Sequence, residues 1–186
     1  MNCTTKRLGF IVAVLVGLFA TPSLCWAQYD IFVQIDGIPG ESQDEQHKDW
    51  IDAFGFGDGL QGSSVAAMAG AVAGRATFAD IKITKGLDKA SPKLRESAAS
   101  GKHLKDVTIE FVLKSSVRPL KFKVTLEEVQ ISGVSLTTNT VDLPQEIVTF
   151  SFGEIRWEYF IIDPETGVPV GQVSTGWNLL TNKPIQ

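Results

Sequence analysis

The chain of 186 residues contains two histidines, His47 and His103, and their imidazoles are its best candidates for acid–base or metal chemistry near neutral pH. Neither histidine has an Asp or Glu four residues away, the spacing that a helical metal site would use. Asp36 and Glu41 lie in a turn rich in proline and glycine, where carboxylates usually bind backbone amides. We therefore expect two ordinary polar surface histidines and two carboxylates that stabilise a turn.

Sequence motifs for covalent catalysis and for phosphate binding are absent: the chain has neither a G-x-S-x-G pattern nor a P-loop. Cys3 and Cys25 are the only cysteines, and both precede residue 28. The segment that follows has no thiolate for nucleophilic attack or zinc binding. We expect no enzymatic activity, no cofactor and no metal.

The N-terminal segment has the layout of a signal peptide. Lys6-Arg7 is followed by thirteen uncharged, mostly apolar residues, 8–20, and then by Pro22. Because a transmembrane helix needs ~20 residues, a permanent anchor is the weaker interpretation, and we expect membrane contact only through this signal. Cleavage after Ala27 would leave a single exported domain, 28–186. Lipid attachment at Cys25 is a rival interpretation, although Leu24 stands where a small residue is expected.

Composition favours one acidic globular domain. Hydrophobic residues make up 44% of the chain and charged residues 20%, which excludes a disordered or collagen-like protein. The 17 Lys and Arg residues are outnumbered by 21 Asp and Glu residues, giving a net charge of −4. A protein that coats nucleic acid needs a basic surface to displace counterions, so we expect no nucleic-acid partner.

The dominant hydrophobic period is two, which is typical of β-strands. The segment 106–114 alternates Val107, Ile109, Phe111 and Leu113 with a second row that includes Val112. Further strands are predicted around Ile31/Val33/Ile35, Ile81/Ile83, Phe122/Val124/Leu126 and 170–177, with a turn at 163–167 before the last of them. The apolar phase shifts after Glu127-Glu128 and again at Gly153, which predicts bent strands of the kind that close small barrels.

Two segments depart from this period. Ser91–Gly101 has a serine suited to an N-cap, proline at the first helical position and a terminal glycine, which predicts one short helix. The segment from Gly55 to Gly74 is rich in Gly, Ala and Ser and predicts a long loop.

Charge is unevenly distributed along the chain. Seven basic residues lie between positions 82 and 105, against only Asp88 and Glu96: Lys82, Lys85, Lys89, Lys93, Arg95, Lys102 and Lys105. This stretch is consistent with a solvated helix face. It is equally consistent with a basic patch that meets an acidic patch on an identical neighbour and so favours head-to-tail association.

Several segments, in order along the chain, resemble the Hcp family, the tube proteins of bacterial type VI secretion systems. The resemblance covers residues 29–183, and its strongest matches are 29–42, 47–51, 88–94, 101–103, 143–146, 155–159 and 176–178. It implies a mainly β fold: a small two-sheet β-barrel with one short flanking α-helix and a long extended loop. It also implies hexameric rings that stack into a hollow tube, with small effector proteins as cargo and a spike protein as partners.

The resemblance also suggests where subunits meet. The matches at 88–94 and 101–103 imply that the two ends of the helix lie near the ring contacts, so the candidate interface residues there are Lys89, Lys93, Arg95, Lys102 and His103. The Gly55–Gly74 loop occupies the position of a family loop that reaches a neighbouring ring. Its apolar residues Val65, Met68 and Val72 are therefore expected to be buried between stacked subunits.

The signal peptide departs from the family pattern, in which subunits begin near the position of Tyr29 and polymerise in the cytoplasm. We expect export to the periplasm or the cell exterior; a true start further downstream, with cytoplasmic assembly followed by type VI secretion, is the alternative. A function of a different class also stays open. It is an exported monomeric β-domain that binds a ligand or acts as a secreted effector or hydrolase, and it would show a pocket lined by converging polar groups.

Overall fold

The computed structural model of the chain describes residues 29–62, 76–138 and 143–185. Within these ranges it contains eleven strands and one helix. Their bounds are β1 Tyr29–Ile35, β2 Ile51–Gly57, β3 Leu60–Gln61, β4 Thr77–Phe78, β5 Ile81–Gly86, α1 Ser91–Ser100, β6 His103–Leu113, β7 Leu120–Thr137, β8 Gln145–Ser151, β9 Glu154–Ile162, β10 Pro169–Asn178 and β11 Lys183–Ile185. No helix in the described ranges has the length and apolar character needed to cross a membrane.

Six antiparallel strands close a barrel. They are joined in the order β7-β6-β1-β2-β5-β8, and β8 pairs back onto β7. β9, β10 and β11 continue the sheet from β7 outside this closed ring, and β3 and β4 form a separate short pair. The mainly β barrel with one flanking helix is confirmed. The barrel strands expected in two sheets form one continuous sheet, which closes where β8 pairs with β7.

The bend predicted after Glu127-Glu128 is the point where β7 changes partner. β7 pairs with β9 as far as Glu127 and with β8 from Gln130 onwards. Glu128 has a positive φ of 55°, and the amide of Gly153 donates to the carbonyls of both Glu127 and Glu128. The phase break after Glu127-Glu128 and the phase break at Gly153 therefore face each other at one corner of the barrel. The break at Gly153 separates two strands, β8 and β9.

Alternating residues of the strands fill the barrel, as the sequence pattern predicts. Val107 and Ile109 on β6 pack with Val124 and Leu126 on β7, and all four are fully buried. Phe111 packs against the same core, and Leu113 at the end of β6 is half-buried. Val112 is also buried, but it lies on the opposite face of β6 with Glu110 and outside the core cluster; the register shift beside it adds the extra residue Lys121 to β7.

α1 begins and ends close to the predicted positions. Gly101 follows it in the left-handed conformation, with φ 64°, a backbone shape that glycine adopts without steric cost. The N-cap expected at Ser91 is wrong: Ala90 is the cap, and it provides no side-chain hydrogen bond. Ser91 lies within the first turn and donates its hydroxyl to Glu146 on β8 instead.

The predicted turn at 163–167 and the strand after it are also present. Asp163 Oδ1 accepts hydrogen bonds from the amides of Glu165 and Thr166, both at 2.8 Å, and β10 follows. The long loop expected from Gly55 is shorter at its start, because β2 continues to Gly57 and Leu60–Gln61 pairs with Thr77–Phe78.

Candidate self-association surfaces

The basic stretch between 82 and 105 is partly neutralised within the subunit. Lys85, expected on a solvated patch, is fully buried, at 0% exposure, because its side chain lies between α1 and the barrel. Lys89 and Arg95 are exposed but pair with Asp49 at 2.8 Å and with Glu146 at 2.5 Å. Lys93 and Lys102 are exposed. The positive surface is therefore smaller than the sequence indicates.

A buried polar network fixes α1 to the barrel. Lys85 Nζ lies 2.8 Å from Asp88 Oδ1 and 3.2 Å from Glu146 Oε2, and it donates to Ser91 Oγ at 3.1 Å. Burial opposes ionisation of Glu146, but hydrogen bonds from Ser91, Arg95 and Lys85 outweigh it and lower the pKa of this carboxyl. The network therefore holds a carboxylate against the helix and sets the position of α1.

The five candidate residues around α1 fall into two groups. Lys89 precedes the helix, and Lys93 and Arg95 lie in its first half. Lys102 and His103 follow its C-terminus, where His103 Nε2 lies 2.7 Å from Glu128 Oε2 on β7. The expected surface position of His103 is thus correct. The other three candidates, Val65, Met68 and Val72, lie outside the described residues.

His47, in contrast, is buried, at 4% exposure, and the expectation of a surface histidine is wrong. Its ring stacks on Phe32 with 4.1 Å between centroids and meets the edge of Trp50 at 4.9 Å. Nδ1 lies 2.7 Å from Asp44 Oδ1, and Nε2 lies 2.9 Å from Glu110 Oε2. The imidazole therefore joins the loop between β1 and β2 to the outer face of β1 and β6.

The loop from 36 to 50, here called the strap, also reaches the start of α1. Glu41 Oε1 accepts a hydrogen bond from the backbone amide of Lys89 at 2.9 Å, which confirms that this carboxylate binds a backbone amide. Asp49, at the other end of the strap, pairs with the Lys89 ammonium. Lys89, a candidate interface residue, is thus bound by two carboxylates of the strap, and His47 attaches the strap to the barrel.

The sheet extension β9–β10 presents an apolar surface that sequence reasoning missed. Tyr159, Ile161 and Val173 share one face, since Val173 is paired with Tyr159 and Ile161 lies two residues further along β9. This set, here called the edge surface, is exposed, and Val173 reaches 62%. The same face of β9 carries Ile155, which is buried in the core. The apolar row on this face therefore begins inside the core and continues onto the exposed sheet extension.

β10 also has a largely free edge. Among the described residues, the partner on this edge is β11, which pairs with β10 at Gly176–Asn178, and residues 169–175 are exposed along their length. An unpaired edge offers a row of backbone donors and acceptors to another chain. The alternation in the sequence located this strand but could not show that it lies outside the closed barrel.

A second apolar surface lies at the other end of β7. A register shift between Ala53 and Gly55 makes Phe54 the extra residue of a β-bulge, and its ring is 57% exposed. Phe54, Leu143 and Pro144 line one shallow hollow, and Leu143 is 85% exposed. These three residues are here called the bulge surface. The hollow also includes Gln145, which pairs with Thr137 at the end of β7, whereas Tyr159 pairs with Phe122 near its start.

A closed six-stranded barrel with an external sheet extension and two separate apolar surfaces defines a β-barrel subunit suited to association with other copies. The sequence pattern of the family described as "Type VI secretion system effector, Hcp" matches residues 32–159. The chain belongs to this Hcp family. The family consists of secreted structural tube proteins of type VI secretion systems and is not an enzyme family, so the chain is a tube subunit, as the resemblance predicted.

Proteins with similar sequences or structures match this chain over most of its length. Protein hcp1 of Pseudomonas aeruginosa is 30% identical over 156 residues, which are 82% of this chain and 96% of that protein. A solved structure described as a type six secretion system protein superposes with a TM-score of 0.78 at 29% identity, covering 85% of this chain and 100% of that one. Hcp1 from Salmonella typhimurium gives a TM-score of 0.69 at 26% identity, with 86% and 100% covered.

Proposed function

We propose that the chain is exported and forms hexameric rings, and that these rings stack into a hollow tube. The lumen would carry small effector proteins, and the end of the tube would meet a spike protein. The observation that carries the proposal is the free edge of β10 beside the apolar edge surface, because an exposed strand edge flanked by apolar residues is a site for pairing between chains.

The positions of the two apolar surfaces favour a ring. They lie near opposite ends of β7, whose fifteen residues from Phe122 to Leu136 span up to about 45 Å at ~3.3 Å per residue. A contact between two different surfaces is heterologous, and heterologous contacts close into rings when the rotation between copies permits. We propose that the edge surface of one subunit packs on the bulge surface of the next.

Exposed charges add to this arrangement. Lys93 and Lys102 extend into solvent from α1 and its C-terminus, while Lys89 and Arg95 keep partly exposed ammonium and guanidinium groups beside them. Because the chain as a whole is acidic, this side of the subunit differs in charge from the rest. Such an asymmetry orients copies during encounter and fixes their register.

Export is the second part of the proposal. Cleavage after Ala27 would leave β1 complete, since that strand begins at Tyr29 and pairs with β6 from Tyr29 onwards. N-terminal sequencing of the protein recovered from periplasm and medium should begin at Gln28. Recovery of protein that retains residues 1–27, or that is confined to the cytoplasm before secretion, would contradict this part.

Complementary variants test the ring contact. Val173→Lys disrupts the edge surface and Phe54→Lys disrupts the bulge surface, each by placing a charge at an exposed position where it leaves the fold intact. By light scattering, residues 28–186 should form a hexamer, and each variant alone should be monomeric. A 1:1 mixture should form only a heterodimer, because one intact surface of each kind then remains available.

Leu180→Lys is the matched control, because Leu180 is also an exposed apolar residue but lies in the turn between β10 and β11. This variant should assemble like the unsubstituted protein. If residues 28–186 stay monomeric at high concentration, the proposed ring is wrong. If rings form and both Lys variants still assemble, the ring stands but its assigned surfaces are wrong.

A further inference from the structure

Lys121 lies beside the edge surface and has no carboxylate partner there. The register shift between Phe111 and Val112 makes Lys121 the extra residue of a bulge in β7. Its ammonium lies 4.4 Å from the centre of the Tyr159 ring, and within the described part of the chain it forms no ion pair. The edge surface therefore carries a cation that rests on one of its own aromatic rings.

The rest of this face does not balance that charge. Neither β10 nor the part of β9 from Tyr159 onwards contains a charged residue. Arg156 and Glu158 lie on the opposite face of β9, because side chains alternate along a strand. The acidic residues of the 163–167 turn lie beyond the ends of both strands. Lys121 therefore gives the edge surface a positive charge.

Asp52 is the matching group beside the bulge surface. It lies on β2 two residues before Phe54, and both residues are exposed. Within the described ranges its carboxylate has no hydrogen bond and no ion pair. The carboxylates of Asp88 and Glu146, near the same hollow, are bound by the buried Lys85. Asp52 is therefore the carboxylate beside the bulge surface that a neighbouring subunit can reach.

We propose that Lys121 of one subunit pairs with Asp52 of the next subunit when the edge surface packs on the bulge surface. This inference rests on the proposed ring and specifies which charges meet in it. Packing would remove water from the Lys121 ammonium, and a desolvated cation destabilises an interface unless a partner compensates it. The Tyr159 ring already orients the ammonium, so less side-chain freedom is lost when the pair forms.

The same two charges disfavour symmetric contacts. Two edge surfaces packed together would bring two Lys121 ammonium groups into one interface, and the faces of β9 and β10 that meet there carry no carboxylate. Two bulge surfaces would likewise bring two Asp52 carboxylates together. Only the contact between unlike surfaces pairs opposite charges, so charge selects the head-to-tail arrangement that can close into a ring.

Charge reversals in the processed chain, residues 28–186, test this pair. Lys121→Glu and Asp52→Lys should each raise the protein concentration needed for half-maximal assembly at least about tenfold, because each places like charges in every contact of the ring. Light scattering measures this concentration. A chain that carries both reversals should assemble within about threefold of the unsubstituted chain, since opposite charges meet again.

A mixture of the two single variants gives the sharpest result. In an alternating ring, Glu at position 121 of one variant meets Lys at position 52 of the other, and the unsubstituted Lys121 and Asp52 meet in the remaining contacts. An equimolar mixture should therefore form hexamers with equal numbers of the two chains, counted by native mass spectrometry, although neither variant assembles well alone. The mixture of Val173→Lys and Phe54→Lys, in contrast, should stop at a heterodimer.

Lys183→Glu and Glu45→Lys are matched controls, because they reverse exposed charges on β11 and in the strap. Both should assemble like the unsubstituted chain. Circular dichroism checks that each variant is folded. If Lys121→Glu does not fold, Lys121→Gln takes its place, and in that background Asp52→Lys should lose most of its effect on assembly.

The outcomes separate this pair from the ring itself. If the unsubstituted chain forms hexamers and either folded single reversal assembles equally well, the pair is wrong and the ring stands. A mixture of folded single variants that stays monomeric, or an undiminished effect of Asp52→Lys in the Lys121→Gln background, would also overturn the pair. If the unsubstituted chain stays monomeric, the ring and the pair are both wrong.

Discussion

Lys85 and Glu146 are paired residues on the neighbouring strands β5 and β8, with 3.2 Å between Nζ and Oε2 and both side chains fully buried. Their charges do not face water but face α1, which contributes Ser91 and Arg95 to the same carboxylate. The position of the helix, and with it the candidate residues Lys93 and Arg95, therefore depends on an ion pair between two barrel strands.

Removing one member of this pair should destabilise the protein. Lys85→Met leaves Glu146 buried with Arg95 and Ser91 but without its nearest ammonium, and we expect a loss of about 3 kcal/mol in the free energy of unfolding. Urea denaturation at pH 7 measures this loss. The double variant Lys85→Met/Glu146→Leu removes both charges and should recover most of it; a double variant less stable than Lys85→Met would contradict the assigned cause.

Acid should weaken the attachment of the strap. The pKa of Asp44 is about 2 in the folded protein and ~3.9 in an unfolded chain, so its contribution is complete above about pH 4 and is lost as the pH falls through 2. We expect this contribution to be at most about 2.5 kcal/mol. The free energy of unfolding measured from pH 5 to pH 2 should fall less steeply in Asp44→Asn, and equal slopes would show that Asp44 does not titrate in this way.

The strands and bends of the barrel could be predicted because they depend on neighbouring residues. The alternation of Val124 and Leu126, the phase shift after Glu128 and the break at Gly153 are properties of short segments, and the structure has them. Gly101 ends α1 for a similarly local reason, since its left-handed conformation suits glycine. Pattern alone did not show that β9 and β10 leave the closed barrel, because pairing partners come from the whole fold.

Burial of charged residues could not be predicted, because it depends on partners that are distant in sequence. His47 finds Glu110 63 positions away, and Lys85 finds Glu146 61 positions away. Each looked like a surface residue because the partner that buries it lies on a distant strand. The local signals were Asp44, three residues before His47, and Asp88, three residues after Lys85. The bulge that exposes Phe54 likewise follows from its register with β5.

Gly40, at the base of the strap, should be required because no side chain fits at its position. A Cβ added to Gly40 would lie 2.3 Å from the carbonyl oxygen of Trp50, which is backbone and cannot move freely. Gly40→Ala should therefore cost about 2 kcal/mol and increase hydrogen exchange within the strap. Gly57→Ala is the control, because nothing lies within 4 Å of its added carbon. Equal melting temperatures for the two variants would refute the steric explanation.

Stacking of rings should depend on the apolar residues of the 55–74 segment. Replacing Val65, Met68 and Val72 by Asp should abolish tubes while monomers stay folded, because charges at positions buried between subunits would lose their hydration without gaining partners. Electron microscopy counts the tubes, and circular dichroism checks the fold. The control Ser63→Asp/Ser64→Asp adds acidic charge to the same segment without removing an apolar side chain, and it should leave stacking intact. Tubes that survive the triple replacement would exclude this segment from the contact between rings.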